Sequence, residues 1–116
     1  MQRDPRAYLW DVREAAQAIA GFTAGMDADA YAASLLVQAA VERKFEIIGE
    51  ALGRLAKLDS ALAARVPDLP KIVAFRNQLI HGYAVVNQST VWNIVQDSLA
   101  PLLGCVQALL DELGDA

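Results

Sequence analysis

Apolar residues recur along this chain at gaps of three and four, the spacing of a helix face and not the alternation of a strand. The first run takes in Tyr8, Leu9, Val12, Ala16 and Ile19 and stops near Gly21 and Gly25. Asp4-Pro5 ahead of it suits an N-cap followed by proline at the first helical position. A second, long helix is expected to open at Asp27 and Asp29, where negative charge suits the helix dipole, and to run to about Leu58. Its buried face would hold Leu36, Ala40, Ile47, Ala51, Leu55 and Leu58. A looser stretch with Pro67 and Pro70 follows, then a third helix with Ile72, Phe75 and Leu79, broken by Gly82. Asn87 or Ser89 caps a fourth. In it Trp92, Val95, Leu99, Leu102, Val106, Leu109 and Leu113 alternate gaps of three and four, like a coiled-coil seam. Pro101 falls inside that run and should bend the helix or remove one backbone bond. The expectation is an all-α fold, a four- to five-helix bundle, with the seam as one place where two copies could pair through helices. No repeat, linker or low-complexity tract divides the chain, so residues 1–116 read as a single domain.

Composition agrees with that picture and narrows the chemistry. Apolar residues are 55% of the chain, enough for a core and too many for a disordered segment. The longest apolar stretches, such as Ala33 to Val37, are far too short to cross a bilayer. No apolar run follows the basic residues near Met1, so no secretory signal is read and a soluble cytoplasmic protein is expected. With one cysteine and one histidine, Cys105 and His81, neither a disulfide framework nor a zinc site is expected. Residues 1–76 carry all ten Lys and Arg and ten of the fourteen Asp and Glu, while residues 77–116 carry four acids and no base. A general nucleic-acid binder has a clear basic excess. Any contact with RNA must therefore be local, or assembled from two chains.

Chemistry concentrates in Arg76-Asn77-Gln78-Leu79-Ile80-His81-Gly82-Tyr83. His81 is the one side chain that titrates near neutral pH without help, so it is the candidate general acid or base, although a histidine at a helix C-terminus can also be a cap. Arg76 can stabilise the extra negative charge of a phosphorane through its fork of donors. Asn77 adds an uncharged donor, and Tyr83 a hydroxyl. These are the parts needed to cut RNA by internal attack of the 2′-hydroxyl, with no metal and no cofactor. Five residues on a regular helix rotate about 140°, so Arg76 and His81 would not share a face. The helix is therefore expected to end or unwind around His81, as Gly82 permits.

Arg76-Asn77-x-x-x-His81-x-Tyr83 resembles the R-N-x-x-x-H-x-Y motif of the HepT-like branch of the HEPN superfamily. The resemblance extends over nearly the whole chain. Tyr8-Leu9-x-Asp11 looks like the family's opening helix, Glu46-Ile47-Ile48-Gly49-Glu50-Ala51 is similar to its I-G-E-A segment, and Val91-Trp92 and Asp97 fit its last helix. It implies a helical homodimer in which motifs from both protomers face one cleft. It implies a metal-independent endoribonuclease toxin with Arg76 and His81 as the catalytic pair and Asn77 in support. The partner so implied is a minimal nucleotidyltransferase antitoxin that transfers AMP to Tyr83, placing bulk and negative phosphate beside the arginine and histidine.

Some positions depart from the family pattern. Pro70 is separated from Arg76 by about two residues fewer than usual, Gln78 replaces a frequent basic residue, and Asn87 stands where aspartate is common. The lost basic positions and the acidic balance favour an alternative, a non-catalytic substrate- or nucleotide-binding subunit of a small nucleotidyltransferase. Glu46 and Glu50 sit one turn apart, in line with Arg43 and Arg54, as on a solvated ion-paired stripe. Glu50 could also orient Arg76. Gly49 and Gly53 suggest close approach of another helix, either inside the bundle or across a dimer. Tyr8, Trp10 and Trp92 read as core or interface aromatics, and Cys105 as a small buried apolar residue.

Overall fold

Asp4 begins the first helix as expected: its side chain accepts the Arg6 N–H, and Pro5 occupies the first turn of α1, Pro5–Thr23. Residues 3–82 and 86–114 are described by the computed structural model, and their regular structure is helical throughout. After α1 come α2 (Ala28–Ala33), α3 (Leu35–Leu58), α4 (Ser60–Ala63), α5 (Leu69–His81) and α6 (Gln88–Leu113). The four long runs read from the sequence survive as α1, α3, α5 and α6, with two short helices between them. None of these helices is long and apolar enough to cross a membrane among the described residues.

The expected second helix is not continuous. It breaks at Ser34, whose backbone is extended and whose hydroxyl accepts the Val37 N–H at 3.2 Å, so that serine caps α3. A break leaves carbonyls of the preceding turn bare. Gln38 answers this: its buried amide donates to Tyr31 O and Ala32 O, both at 3.0 Å. The break lets Tyr31 pack into the core, its ring 5.1 Å from Trp92 and its hydroxyl donating to Gln88 at 3.0 Å. Burial, with Glu42 nearby, pushes that hydroxyl up to about 12, so it stays a neutral donor.

The buried face of α3 also differs from the one expected. Val41, Ile48 and Leu52 are buried, each one residue past the predicted Ala40, Ile47 and Ala51. Ala51 and Leu55 are buried as foreseen, while Leu36 is 82% exposed. One residue is about 100° of rotation. The error arose because apolar residues sit side by side on this helix, so period alone does not choose between neighbouring stripes.

α3 is the central helix, with α1 and α5 packed along it and α6 against α1. One contiguous apolar cluster joins them, including Leu9, Val12, Ile19, Phe45, Leu52, Ile72 and Leu102. Phe45 of α3 meets Phe75 of α5 edge to face at 5.4 Å. The α6 seam faces inward: Val95, Leu99, Leu102, Val106 and Leu109 are buried in this core. It is therefore spent within the chain and does not argue for pairing with a second copy. Pro101 lies on the exposed side of an unbroken α6, where water can take the carbonyl it leaves unbonded. Trp10 is half exposed with the Arg13 guanidinium 5.8 Å from its ring, so it is not a core aromatic. Cys105 is half-buried and its thiol donates to Arg65 O at 3.2 Å.

Two helix starts matter for the site. Asn87 Oδ1 accepts from Ser89 N at 2.8 Å and Thr90 N at 3.3 Å, capping α6 directly after the motif segment. Asn87→Ala should lower stability by about 1 kcal/mol, seen as a lower urea midpoint with an unchanged slope. Asp68 precedes α5 with φ 59°, a left-handed conformation unusual outside glycine, and makes no side-chain cap. This sharp turn, with Pro70 in the next one, sets where α5 begins.

Candidate functional site

Gly49 brings α5 onto α3. A Cβ at this position would overlap Cβ of Arg76 and lie 2.6 Å from its Cγ, so only glycine fits the present backbone. The approach places the stem of Arg76 against α3 and delivers its guanidinium to Glu50. Arg76 Nη2 donates to Glu50 Oε2 at 2.5 Å and Nη1 to Asn77 Oδ1 at 3.1 Å. Arg76 Nε is buried without a hydrogen-bond partner among the described residues. At Gly53, by contrast, an added Cβ would meet nothing within 4 Å among the described residues, so no helix of the same chain approaches closely there.

Arg76 lies on a cleft of about 640 Å³ between α1, α3 and α5. One stripe of α3 forms its floor, with Arg43, Glu46, Ile47, Glu50, Ala51 and Arg54 at helical spacing. Ile80 adds an apolar edge from α5, and Arg3, Tyr8 and Asp11 close the far side. The stripe read as solvated is thus the floor of the cleft. Its cations are matched by acids of the same cleft: Arg3 with Asp11 at 2.6 Å, Arg43 with Glu46 at 3.7 Å, and Arg54 and Arg76 both with Glu50. Among the described residues, four arginines against three carboxylates leave one net positive charge. The Arg54 hydrogen bond holds the Glu50 carboxyl below its usual range, with the charges of Arg54, Arg76 and Lys57 adding to the effect.

The structure brings Arg76, Asn77 and Glu50 together and leaves His81 apart. α5 stays helical through His81 and stops at Gly82, whose N–H donates to Gln78 O at 2.8 Å. His81 is exposed at that end and does not line the cleft. The helix does end where expected, but without bending His81 round to Arg76. Gly82 has φ −132°, so the stop does not depend on a left-handed glycine. Tyr83 lies outside the described residues. Sequence reasoning did not place Arg3, Tyr8 and Asp11 at the site; only the packing of α1 across α3 does so. Among the described residues no three His, Cys, Asp or Glu side chains are grouped to hold a metal ion.

The model of the family described as Ribonuclease HepT-like matches residues 12–109. The chain belongs to this family. Putative RNase MJ1380 of Methanocaldococcus jannaschii is 31% identical to this HepT-like chain over 100 residues, which are 84% of the chain and 89% of the relative. Putative RNase MJ0127 of the same organism is 33% identical over 96 residues, 81% of the chain and 77% of the relative. Probable ribonuclease HepT of Thermococcus cleftensis is 30% identical over 109 residues, 94% of the chain and 98% of the relative. No solved structure gives a significant match. Within the HepT-like chain, the family match covers the glycine contact, the cleft floor of α3 and the whole of α5.

Proposed function

We propose that this HepT-like protein is an endoribonuclease that cuts RNA through the 2′-hydroxyl. The carrying observation is Arg76, fixed in a cleft by Gly49 and Glu50, within a chain whose R-N-x-x-x-H-x-Y motif is intact. The 2′-oxygen attacks phosphorus and gives up its proton, the bond from phosphorus to the 5′-oxygen breaks, and that oxygen takes a proton. The products are a 2′,3′-cyclic phosphate and a 5′-hydroxyl. His81 moves the proton, and Arg76, with Asn77 beside it, bears the charge of the phosphorane. Since His81 stands off the cleft within one chain, the working site joins two copies as a homodimer with their motifs facing each other.

Regulation follows the same logic. A minimal nucleotidyltransferase acting as antitoxin would transfer AMP from ATP to Tyr83, two residues past His81: the phenolic oxygen bonds to the α-phosphorus, pyrophosphate leaves, and the phenolic proton passes to solvent. The added phosphate would compete for Arg76 and exclude RNA. A second reading, a non-catalytic binding subunit of such a nucleotidyltransferase, is favoured by one observation: the cleft's arginines are almost neutralised by its own acids.

Purified protein should cleave RNA in excess EDTA and leave cyclic phosphate ends. Absence of cleavage in EDTA that returns with added Mg²⁺ would defeat the metal-free mechanism. No cleavage under either condition would leave the binding-subunit reading. Co-expression with a cognate nucleotidyltransferase should add AMP to the intact mass, and Tyr83→Phe should not gain it.

A further inference from the structure

Glu50 is held by two arginines at once. Arg54 Nε donates to Oε1 at 2.7 Å, and Arg76 Nη2 donates to Oε2 at 2.5 Å. The two guanidiniums therefore stand at the two ends of a single carboxylate. Elsewhere in the cleft the pairs are one to one, Arg3 with Asp11 and Arg43 with Glu46. The one positive charge in excess across the cleft thus resides on the Arg54–Glu50–Arg76 group. An approaching anion would be drawn to that group first.

Arg54 is well placed to receive such an anion. It lines the cleft, and its side chain is 62% exposed. It gives Nε to Glu50, and a guanidinium carries further N–H donors on its terminal nitrogens that can meet a phosphate. Its pairing with Glu50 is a surface contact one helical turn apart, of the kind that adds little to stability.

We propose that Arg54 is a second phosphate-binding residue of this site. Glu50 holds it beside Arg76 so that it takes the phosphodiester next to the one being cut. The inference rests on the ribonuclease reading and deepens it: the substrate is an RNA strand that continues past the cleaved bond, and a single phosphodiester does not fill the site. Arg76 meets the scissile phosphate, Arg54 its neighbour, and Glu50 sets the spacing between them without touching RNA. Glu50 is thus a positioning residue.

The test compares two substrates: a dinucleoside monophosphate, whose only phosphate is the scissile one, and an oligoribonucleotide of about ten residues. Arg54→Gln should raise KM for the oligonucleotide about tenfold, the loss of one charge-assisted contact. The slope of log affinity against log salt should shrink by about 0.7, one phosphate on a single strand. Cleavage of the dinucleoside monophosphate should fall far less in Arg54→Gln than cleavage of the oligonucleotide, and Arg54→Lys should restore most of the salt slope. Equal oligonucleotide KM and salt slope in wild type and Arg54→Gln would overturn the inference while the ribonuclease reading stands. So would an equal loss on both substrates, which would put Arg54 on the scissile phosphate or in the fold. Should wild type cut neither substrate, the ribonuclease reading fails, and affinity for uncut oligonucleotide decides: no change in Arg54→Gln rejects the phosphate contact as well.

Discussion

His81→Ala should lower kcat for RNA cleavage by about 10²–10⁴-fold, the usual range for loss of a positioned general acid or base. The size of this effect is readable because the fold should not notice the change. His81 is exposed at the last position of α5, it is not part of the apolar cluster, and the helix stop uses backbone atoms of Gly82 and Gln78. A urea midpoint equal to that of wild type should accompany the loss. Arg76→Lys should be nearly as damaging, although it conserves charge. A lysine offers a point charge in place of a planar fork, and it cannot bond Glu50 and a phosphate through separate edges. Cleavage undiminished by both His81→Ala and Arg76→Ala would remove these residues from the chemistry. Mixing the two inactive variants gives a sharper result. If the working site joins two copies, some mixed dimers regain one intact pairing of Arg76 with His81, and activity should partly return.

The second large effect is a reversal of sign between two glycines on one helix. Alanine is better than glycine inside a helix by about 1 kcal/mol. Gly53→Ala should therefore stabilise by about that amount, since nothing lies within 4 Å of the new methyl. Gly49→Ala gains the same propensity but drives its methyl into Cβ and Cγ of Arg76. Those carbons lie at the root of the side chain and cannot swing aside, so α5 must shift. Overpacking of this kind costs about 1–3 kcal/mol, and an overlap this deep belongs near the upper end. Gly49→Ala should thus lower the urea midpoint while Gly53→Ala raises it. It should also cut RNA cleavage by more than its stability loss explains, because the shift pulls Arg76 off Glu50. A Gly49→Ala protein as stable and active as wild type would show that the contact does not position the arginine.

Some parts of the molecule could be read from its residues and others could not. α1 was legible because cap, proline and apolar spacing agree there, and α6 because its cap and regular apolar spacing outweigh Pro101. The division between α2 and α3 was not, because the break depends on Gln38 reaching back to carbonyls of the preceding helix. A sequence-local rule sees only a serine in a helical run. The face of α3 was misplaced by one residue because Ile47 and Ile48 serve different masters, the cleft and the core. Arg76 was singled out from its residue type and motif and Glu50 through the family resemblance, and a hydrogen bond joins the two. Arg54 was seen only as half of an ion pair, since a Glu–Arg pair one turn apart looks the same on a solvated face and on a cleft floor. That His81 does not line the cleft with Arg76 follows from helix geometry, since five residues separate them on a continuous α5.

The turn at Asp68 and the contact at Gly49 together restrict how this segment can change length. Asp68 fixes the start of α5, and Gly49 fixes where Arg76 must land. The number of residues between them is therefore not free to drift. One inserted residue would turn the arginine about 100° around the helix and advance it about 1.5 Å. It would then miss both the glycine and Glu50. Three or four together add close to a full turn and would restore its direction, though one turn further along α3. Upstream of Asp68, in the connection from α4, single insertions should be absorbed by the loop. In engineered variants of this chain, length changes should be tolerated in any number before this aspartate, and after it only by whole turns.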